Sequence, residues 1–362
     1  MARTRVALVY GGRSGEHEVS VESASSVVEA IDSARYDLLM VKIDHDGAWI
    51  WSNPSPDASN PSGAARRVLP SADPSKPGLM TIADSVGDSV FQPIDVAFPV
   101  VHGTYGEDGC IQGLLELAGI PYVGSGVLAS AVSMDKILMK SVFRAHGFPV
   151  VESVAVDRAD WEADPGILTV VQERIGFPCF VKPANLGSSV GIQKVRDAGR
   201  LAEAVANAAE FSARLIVEQG RDVREIECGV LGNHDAAASV VGEVIPTREF
   251  YDYDAKYHDP STAFVIPADL PEDVSERVRG LAIEAFKAIG GAGMARVDFF
   301  LDRNDGSIYL NEINTIPGFT SMSVYPRLWA ASGVPYSELV DRLIALAVDR
   351  YQDQGRNRTR YA

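Results

Sequence analysis

Short apolar runs alternate along the chain with stretches of helical spacing, and Gly, Pro, Asn and Asp stand between them, which predicts a mixed α/β and α+β protein. Residues 5–10 (RVALVY) read as a buried strand that breaks at Gly11-Gly12, and a helix follows with Ser14 as its N-cap. Strands are predicted at 36–44, 48–51 and 95–103, the last ending in His102-Gly103-Thr104-Tyr105-Gly106-Glu107-Asp108-Gly109 ahead of a helical stretch. Ser52 to Gly78, rich in Pro, Ser, Asn and Asp, reads as surface loop with weak hairpin content. After a crossing at 119–126 come a helix over 134–144, a strand, a short helix, and a strand through Lys182 that leads into the loop 185–191. A further strand (IQKV), a helix over 197–210, strands at 215–218 and 224–232, and a turn at 232–235 follow. Residues 242–270 are polar and aromatic without a clear period, which suits a lid. Helices over 271–291 and 335–351 flank a hairpin, and a polar tail ends the chain.

That hairpin, within 294–323, joins ARVDFFLD to SIYLNEIN at Asn304-Asp305-Gly306, residues that tolerate positive φ. With 304–306 as the loop, Arg303 faces Ser307, and counting outward sets Asp298 opposite Glu312 and Arg296 opposite Asn314. These four share one face. Val297, Phe299, Leu301, Tyr309 and Ile313 make the other face apolar enough to be core. Carboxylates about 5 Å apart across a sheet repel, so the acidic face is either solvated or holds a hard cation such as Mg²⁺. Arg296 and the Asn-Thr-Ile-Pro-Gly run after the pair favour the cation.

The chain has 362 residues, 46% of them apolar, enough for two or three ordinary domains. Its net charge of −16 argues against a nucleic-acid or anionic-membrane partner and leaves any phosphate ligand to local Lys, Arg and backbone N–H groups. No apolar run is long enough to cross a bilayer, and Val6–Tyr10 is too short for a signal peptide, so a cytoplasmic protein is expected. Cys110, Cys179 and Cys228 lie far apart and read as reduced, buried thiols.

Several residues carry candidate chemistry. Glu16, in the first turn of a helix, either compensates the helix dipole or binds an ammonium group. His102 stands at a strand end, where open sheets place ligands, and has a structural alternative. Lys136 and Lys140 occupy adjacent helical turns. The loop Asn185-Leu186-Gly187-Ser188-Ser189-Val190-Gly191 between two strands can fold over a triphosphate, with Lys182 and Lys136 supplying charge. The same loop satisfies G-x-S-x-G with Ser189 as nucleophile, but that motif needs a helix directly after it, and a β-like segment follows. The end of Leu215–Glu218 can present groups to a base, and Glu225 can reach a ribose hydroxyl. Lys256-Tyr257 sits in the middle of the long polar stretch.

Together GGRSGEHEVS, HGTYGEDG, MDKILMK, VKPANLGSSVGIQKV, YDYDAKYH, ARVDF and NEINTIPGFTSMS make the chain resemble the D-alanine–D-alanine ligases of the ATP-grasp superfamily over residues 5–350. The resemblance implies a three-domain ATP-grasp fold with ATP between the central and C-terminal domains. The divisions are an α/β domain over 1–124, a central domain over 125–218, a C-terminal domain over 219–350 with a lid at 246–263, and a tail over 351–362. It implies Mg²⁺ on Asp298, Glu312 and Asn314, with two ions and Mn²⁺ as a substitute. ATP would be held by Lys136, Lys182, Ser188, Ser189, Glu218, Glu225 and Lys256. Glu16 would bind the first D-alanine ammonium and link to Ser188 and Tyr257, with His102 at the same substrate. Arg296 and the Gly318 N–H would form an oxyanion site, and Ser323 and Val324 would take the second carboxylate. His258, after Tyr257, and Val324 depart from the commonest family pattern. The implied activity is ATP-dependent D-alanyl-D-alanine formation for peptidoglycan precursors, by a homodimer joined through the N-terminal domain. The alternatives are a D-lactate or D-serine acceptor on the same fold, or a non-catalytic nucleotide-binding protein.

Overall fold

A computed structural model describes residues 3–52, 66–82, 90–188, 190–245 and 263–358. Ser189, Lys256, Tyr257 and His258, with all of the expected lid except residue 263, lie outside the described residues. Three sheets organise the rest.

In the first, β1 (Thr4–Gly11) lies parallel to both β2 (Tyr36–Ile43) and β7 (Val96–Pro99). Helix α1 (His17–Ala30) makes the crossover from β1 to β2. The chain leaves β1 toward one neighbour and returns on its other side, so a crevice opens at the carboxyl ends of β1 and β7, beside Gly12 and His102. Strands β3 (Trp49–Ser52), β4 (Arg66–Pro70), β5 (Gly78–Thr81) and β6 (Phe91–Pro93) extend the sheet on the far side in the order β6-β5-β4-β3-β2-β1-β7. Residues 66–78, expected as surface loop, therefore include sheet, and Val68 and Leu79 are buried in its core. Ser14 is not the helix cap either. Its hydroxyl donates to the His102 carbonyl at 2.6 Å and accepts from the Glu16 N–H at 3.2 Å, and α1 begins at His17.

Helices α2 (Cys110–Leu117), α3 (Val127–Met134) and α4 (Lys136–Ala145) lead to the second sheet. The Asp135 carboxylate caps α4, accepting from the N–H groups of Ile137 and Leu138 at 3.0 and 2.9 Å. Strand β8 (Ser153–Asp157), helices α5 (Arg158–Ala163) and α6 (Ile167–Ile175), strands β9 (Cys179–Pro183) and β10 (Gln193–Val195), helix α7 (Leu201–Ala209) and strand β11 (Arg214–Gln219) come next. The four strands form an antiparallel sheet, β10-β9-β11-β8, with α6 and α7 packed in its core. A strand does follow the Gly/Ser loop, so the strand-turn-helix that a serine nucleophile requires is missing.

The third sheet has β12 (Val223–Gly232), β13 (Ala237–Ile245), β14 (Ala263–Val265), β15 (Gly293–Asp302) and β16 (Ile308–Asn314), in the order β14-β13-β12-β15-β16. Helix α8 (Glu272–Ala288) covers it, together with Met139 and Phe143 of α4. Helices α9 (Val324–Ala331) and α10 (Tyr336–Gln354) carry Tyr325, Trp329, Leu339 and Leu343 into one core with Val6, Leu8 and Phe98 of the first sheet. All three cysteines are free thiols; Cys179 and Cys228 are buried as expected, whereas Cys110 is exposed at the start of α2.

Candidate functional site

The hairpin of β15 and β16 pairs Arg296 with Asn314 and Asp298 with Glu312, the register expected from the sequence. The route to it differs. The loop runs over 303–306, closed by the Asp302 N–H on the Ser307 carbonyl at 2.9 Å, and a β-bulge at Asn311 restores the count before Glu312 is reached. Between loop and bulge the two faces of β16, but not of β15, are therefore exchanged relative to the expectation. Ile308 and Leu310 enter the core, and Tyr309 stands on the other face with the Arg221 guanidinium 4.6 Å from its ring centre.

Arg296 grips Asp298 with two parallel bonds, Nε to Oδ1 at 2.8 Å and Nη2 to Oδ2 at 2.7 Å, and its Nε lies 3.1 Å from Glu227 Oε2. Asn314 Nδ2 donates to the same Asp298 Oδ2 at 3.0 Å. Burial alone would lower the arginine pKa, but Asp298, Glu227 and Glu312 outweigh it and hold the guanidinium charged. Two carboxylates and a carboxamide on one face, with no thiol or imidazole among them, form the oxygen-donor set that a hard divalent cation takes.

Lys136 Nζ lies 3.8 Å from Glu312 Oε2 and donates to the Leu186 carbonyl at 2.8 Å, which ties the start of α4 to the Gly/Ser loop. Lys182 Nζ meets Glu218 Oε2 at 2.6 Å, and Lys140 Nζ lies 3.1 Å from the other oxygen of the same carboxylate. Burial would raise the Glu218 pKa, yet the two ammonium groups hold it down to about 2. Burial dominates at Lys140, whose pKa is lowered, while at Lys182 the neighbouring carboxylates overcome burial and raise it.

At the crevice of the first sheet, the Ser188 hydroxyl donates to the Glu16 carboxylate, and Ser188 holds a left-handed φ of 49°. Gly103 has φ +74°, and a Cβ there would lie 2.5 Å from Glu16 Oε2. The His102 ring is buried between the Ile316 carbonyl at 3.0 Å, the Ser23 hydroxyl at 3.1 Å and Glu107 at 3.5 Å. Burial opposes protonation of His102, but Glu107 and Glu16 raise its pKa; burial itself raises that of Glu107. Ser323 begins α9 without capping it, its hydroxyl lying 2.8 Å from Thr320 Oγ1.

These groups converge on one cleft of about 370 Å³. Glu16, His102, Lys136, Lys182, Ser188, Glu225, Arg296, Asp298, Glu312, Asn314, Gly318, Ser323 and Val324 all line it. Glu218 does not; it is buried behind Lys182. Sequence reasoning missed Glu227 and Glu107 as lining residues, and Lys140 as the second cation on Glu218. Glu227 was within reach of the strand period, because it stands two residues from Glu225 and so on the same face of β12.

A family model described as "D-ala D-ala ligase N-terminus" matches residues 5–125, and one described as "D-ala D-ala ligase C-terminus" matches residues 142–345. A D-alanine–D-alanine ligase of Heliobacterium modesticaldum is 48% identical, over 99% of this chain and 98% of the relative. One from a Thermoanaerobacter species is 47% identical, over 98% and 99%. Among solved structures, a D-alanine–D-alanine ligase from Coxiella burnetii superposes with a TM-score of 0.86 at 39% identity, covering 98% of this chain and 97% of that one. VanG, a D-Ala:D-Ser ligase from Enterococcus faecalis, superposes with a TM-score of 0.85 at 34% identity, covering 96% and 100%.

Proposed function

The chain belongs to the D-alanine–D-alanine ligase family, and we propose that it joins two D-alanine molecules at the expense of ATP, giving D-alanyl-D-alanine, ADP and phosphate. Its fold is the ATP-grasp architecture, read as three domains over 1–124, 125–218 and 219–350 with ATP between the last two. The observation that carries the reading is the convergence in one cleft of an oxygen-donor face, two lysines and a Gly/Ser loop bonded to Glu16.

In this reading Lys136 and Lys182 bind the ATP phosphates, Ser188 and Ser189 cover them, and Glu225 takes the ribose. Glu218, with its carboxylate on two lysines, holds Lys182 in place and serves adenine through backbone groups at the end of β11. Asp298, Glu312 and Asn314 hold Mg²⁺, two ions with Mn²⁺ as substitute, which when bound offsets negative charge on the phosphates. Glu16 receives the ammonium of the first D-alanine beside His102. Attack of that substrate's carboxylate on the γ-phosphate breaks its bond to ADP and gives ADP and an acyl phosphate, and the neutral amine of the second D-alanine displaces phosphate from the latter, losing a proton as the peptide bond forms. Arg296 and the Gly318 N–H stabilise the oxyanion formed on the way. The carboxylate of the second D-alanine sits at Ser323 and Val324, where the start of α9 offers N–H groups and a positive dipole end. The acyl phosphate must be kept from water, which assigns Lys256 and Tyr257 to a lid.

D-Alanine is favoured over D-serine and D-lactate as acceptor because relatives of 44 to 48% identity bear the D-alanine–D-alanine ligase name, against 34% for VanG. The product suits peptidoglycan precursor synthesis in the cytoplasm; no helix among the described residues is long and apolar enough to cross a membrane. A homodimer through the N-terminal domain is supported by exposed Leu114 and Leu117 on α2, with exposed Val127 and Leu128 at the start of the central domain on the neighbouring α3. The deciding experiment measures ADP release with Mg²⁺-ATP and D-alanine beside L-alanine, D-serine and D-lactate, with products identified by mass. ADP and D-alanyl-D-alanine together, with D-alanine alone, is the expected result; ATP binding without turnover would sink the reading.

A further inference from the structure

Outside the cleft, His17, Glu18 and His45 bring one ligand atom each to within 4.8 Å of one another. His17 and Glu18 open α1, and His45 comes from the turn between β2 and β3. The His17 ring is buried, and its Nδ1 lies 2.7 Å from the Gly12 carbonyl. A carbonyl only accepts, so Nδ1 donates to it, which leaves Nε2 as the ring nitrogen that can face a ligand. This is the arrangement in which a metal-binding histidine is usually held, its second nitrogen fixed by a backbone acceptor. The His45 ring stacks on it at 3.8 Å, with its Nε2 3.9 Å from Glu18 Oε1.

We propose that His17, Glu18 and His45 form a binding site for a divalent transition-metal ion such as zinc. Two imidazoles and a carboxylate are a donor set zinc accepts, with water completing the shell, and imidazole disfavours Mg²⁺ and Ca²⁺. Zinc ligands at about 2.0–2.2 Å stand roughly 3.3 Å from each other, so the side chains must close by about 1.5 Å. His45 and Glu18 are 72% and 80% exposed at their side chains and have the freedom to do so, while the buried His17 is the fixed point. A stacked pair cannot share an ion in both ring planes, so His45 has to swing out of the stack on binding. Because Glu16 directly precedes His17, a bound ion would also restrain the backbone that carries the Ser188 contact.

The test is calorimetric titration of the full chain with zinc chloride in excess Mg²⁺, which competes with zinc for the Asp298–Glu312 face. One zinc-binding event is expected, weakened about tenfold or more in His45→Ala and in Glu18→Ala. Cobalt(II) gives a second readout, a visible absorption band of the parent that His45→Ala removes. Unchanged ligation by His45→Ala at saturating Mg²⁺-ATP would show the variant folded, since His45 touches nothing in the cleft. Equal zinc affinity and equal cobalt absorption in parent and His45→Ala would overturn the proposal, as would no zinc binding by the parent.

Discussion

At the scale of single residues, the buried ions in and behind the cleft share their counter-charges. Glu218 answers two ammonium groups, Lys182 at 2.6 Å and Lys140 at 3.1 Å. Glu218→Gln removes the shared charge and leaves both lysines buried without it, so a loss of about 3–5 kcal/mol in urea-unfolding free energy is expected. The pH dependence follows from the sign of the shift. The folded carboxyl is held at about 2 against an ordinary 4.5, so its stabilisation is present above pH 4.5 and is lost as pH falls toward 2. Integrated over that window the loss is about 3 kcal/mol, and unfolding curves of Glu218→Gln lack that component. Arg296 poses the complementary case, one guanidinium for Asp298 and Glu227. Arg296→Lys keeps the charge but not the two parallel bonds, so ligation is expected to fall by about 10²-fold or more, with Arg296→Ala no better than Arg296→Lys. Near-normal dipeptide formation by either variant would contradict the oxyanion assignment.

At the scale of elements, the acidic face was legible from the sequence and its scaffold was not. Counting outward from a loop at 304–306 reaches the observed pairing of Asp298 with Glu312 because a longer loop and a bulge offset each other. The bulge had a signal: Leu310 and Ile313 are both buried yet three residues apart, a spacing a regular strand cannot supply. Tyr309 was misassigned for want of it. The turn at Gly103 offers an experiment on the same scale. Gly103 and Gly306 have nearly equal positive φ, +74° and +71°, so alanine at either carries a backbone cost of about 1 kcal/mol, to which Gly103→Ala adds a close approach to the Ser14 Cβ at 2.9 Å. Only at Gly103 does the new Cβ meet a cleft residue, Glu16 Oε2 at 2.5 Å; at Gly306 nothing lies within 4 Å. Gly103→Ala should therefore raise the KM for D-alanine several-fold while Gly306→Ala leaves it unchanged, as steady-state kinetics on both variants would reveal.

Over the whole molecule, the sequence motifs identify the parts of the cleft but not what presses them together. The local period predicts α10, yet nothing in it tells that Leu339 and Leu343 pack with Val6 and Leu8, more than 300 residues away in the chain. That shared core closes the first sheet against the third and sets Glu16 across from the Asp298 face. It also leaves the outer side of α2 and α3 uncovered, where Leu117 is 79% and Leu128 71% exposed beside Leu114 and Val127. Exposed leucines on adjacent helices mark an interaction surface, and in a two-fold dimer a second copy would meet them with the same apolar surface. The double variant Leu117→Asp, Leu128→Asp sets like charges against each other across such a two-fold contact. Light scattering at micromolar concentration should report a dimer for the parent and a monomer for the variant, with circular dichroism unchanged because both positions are solvent-facing in the single chain. A monomeric parent would refute the dimer, and a variant that stays dimeric would move the contact off this face.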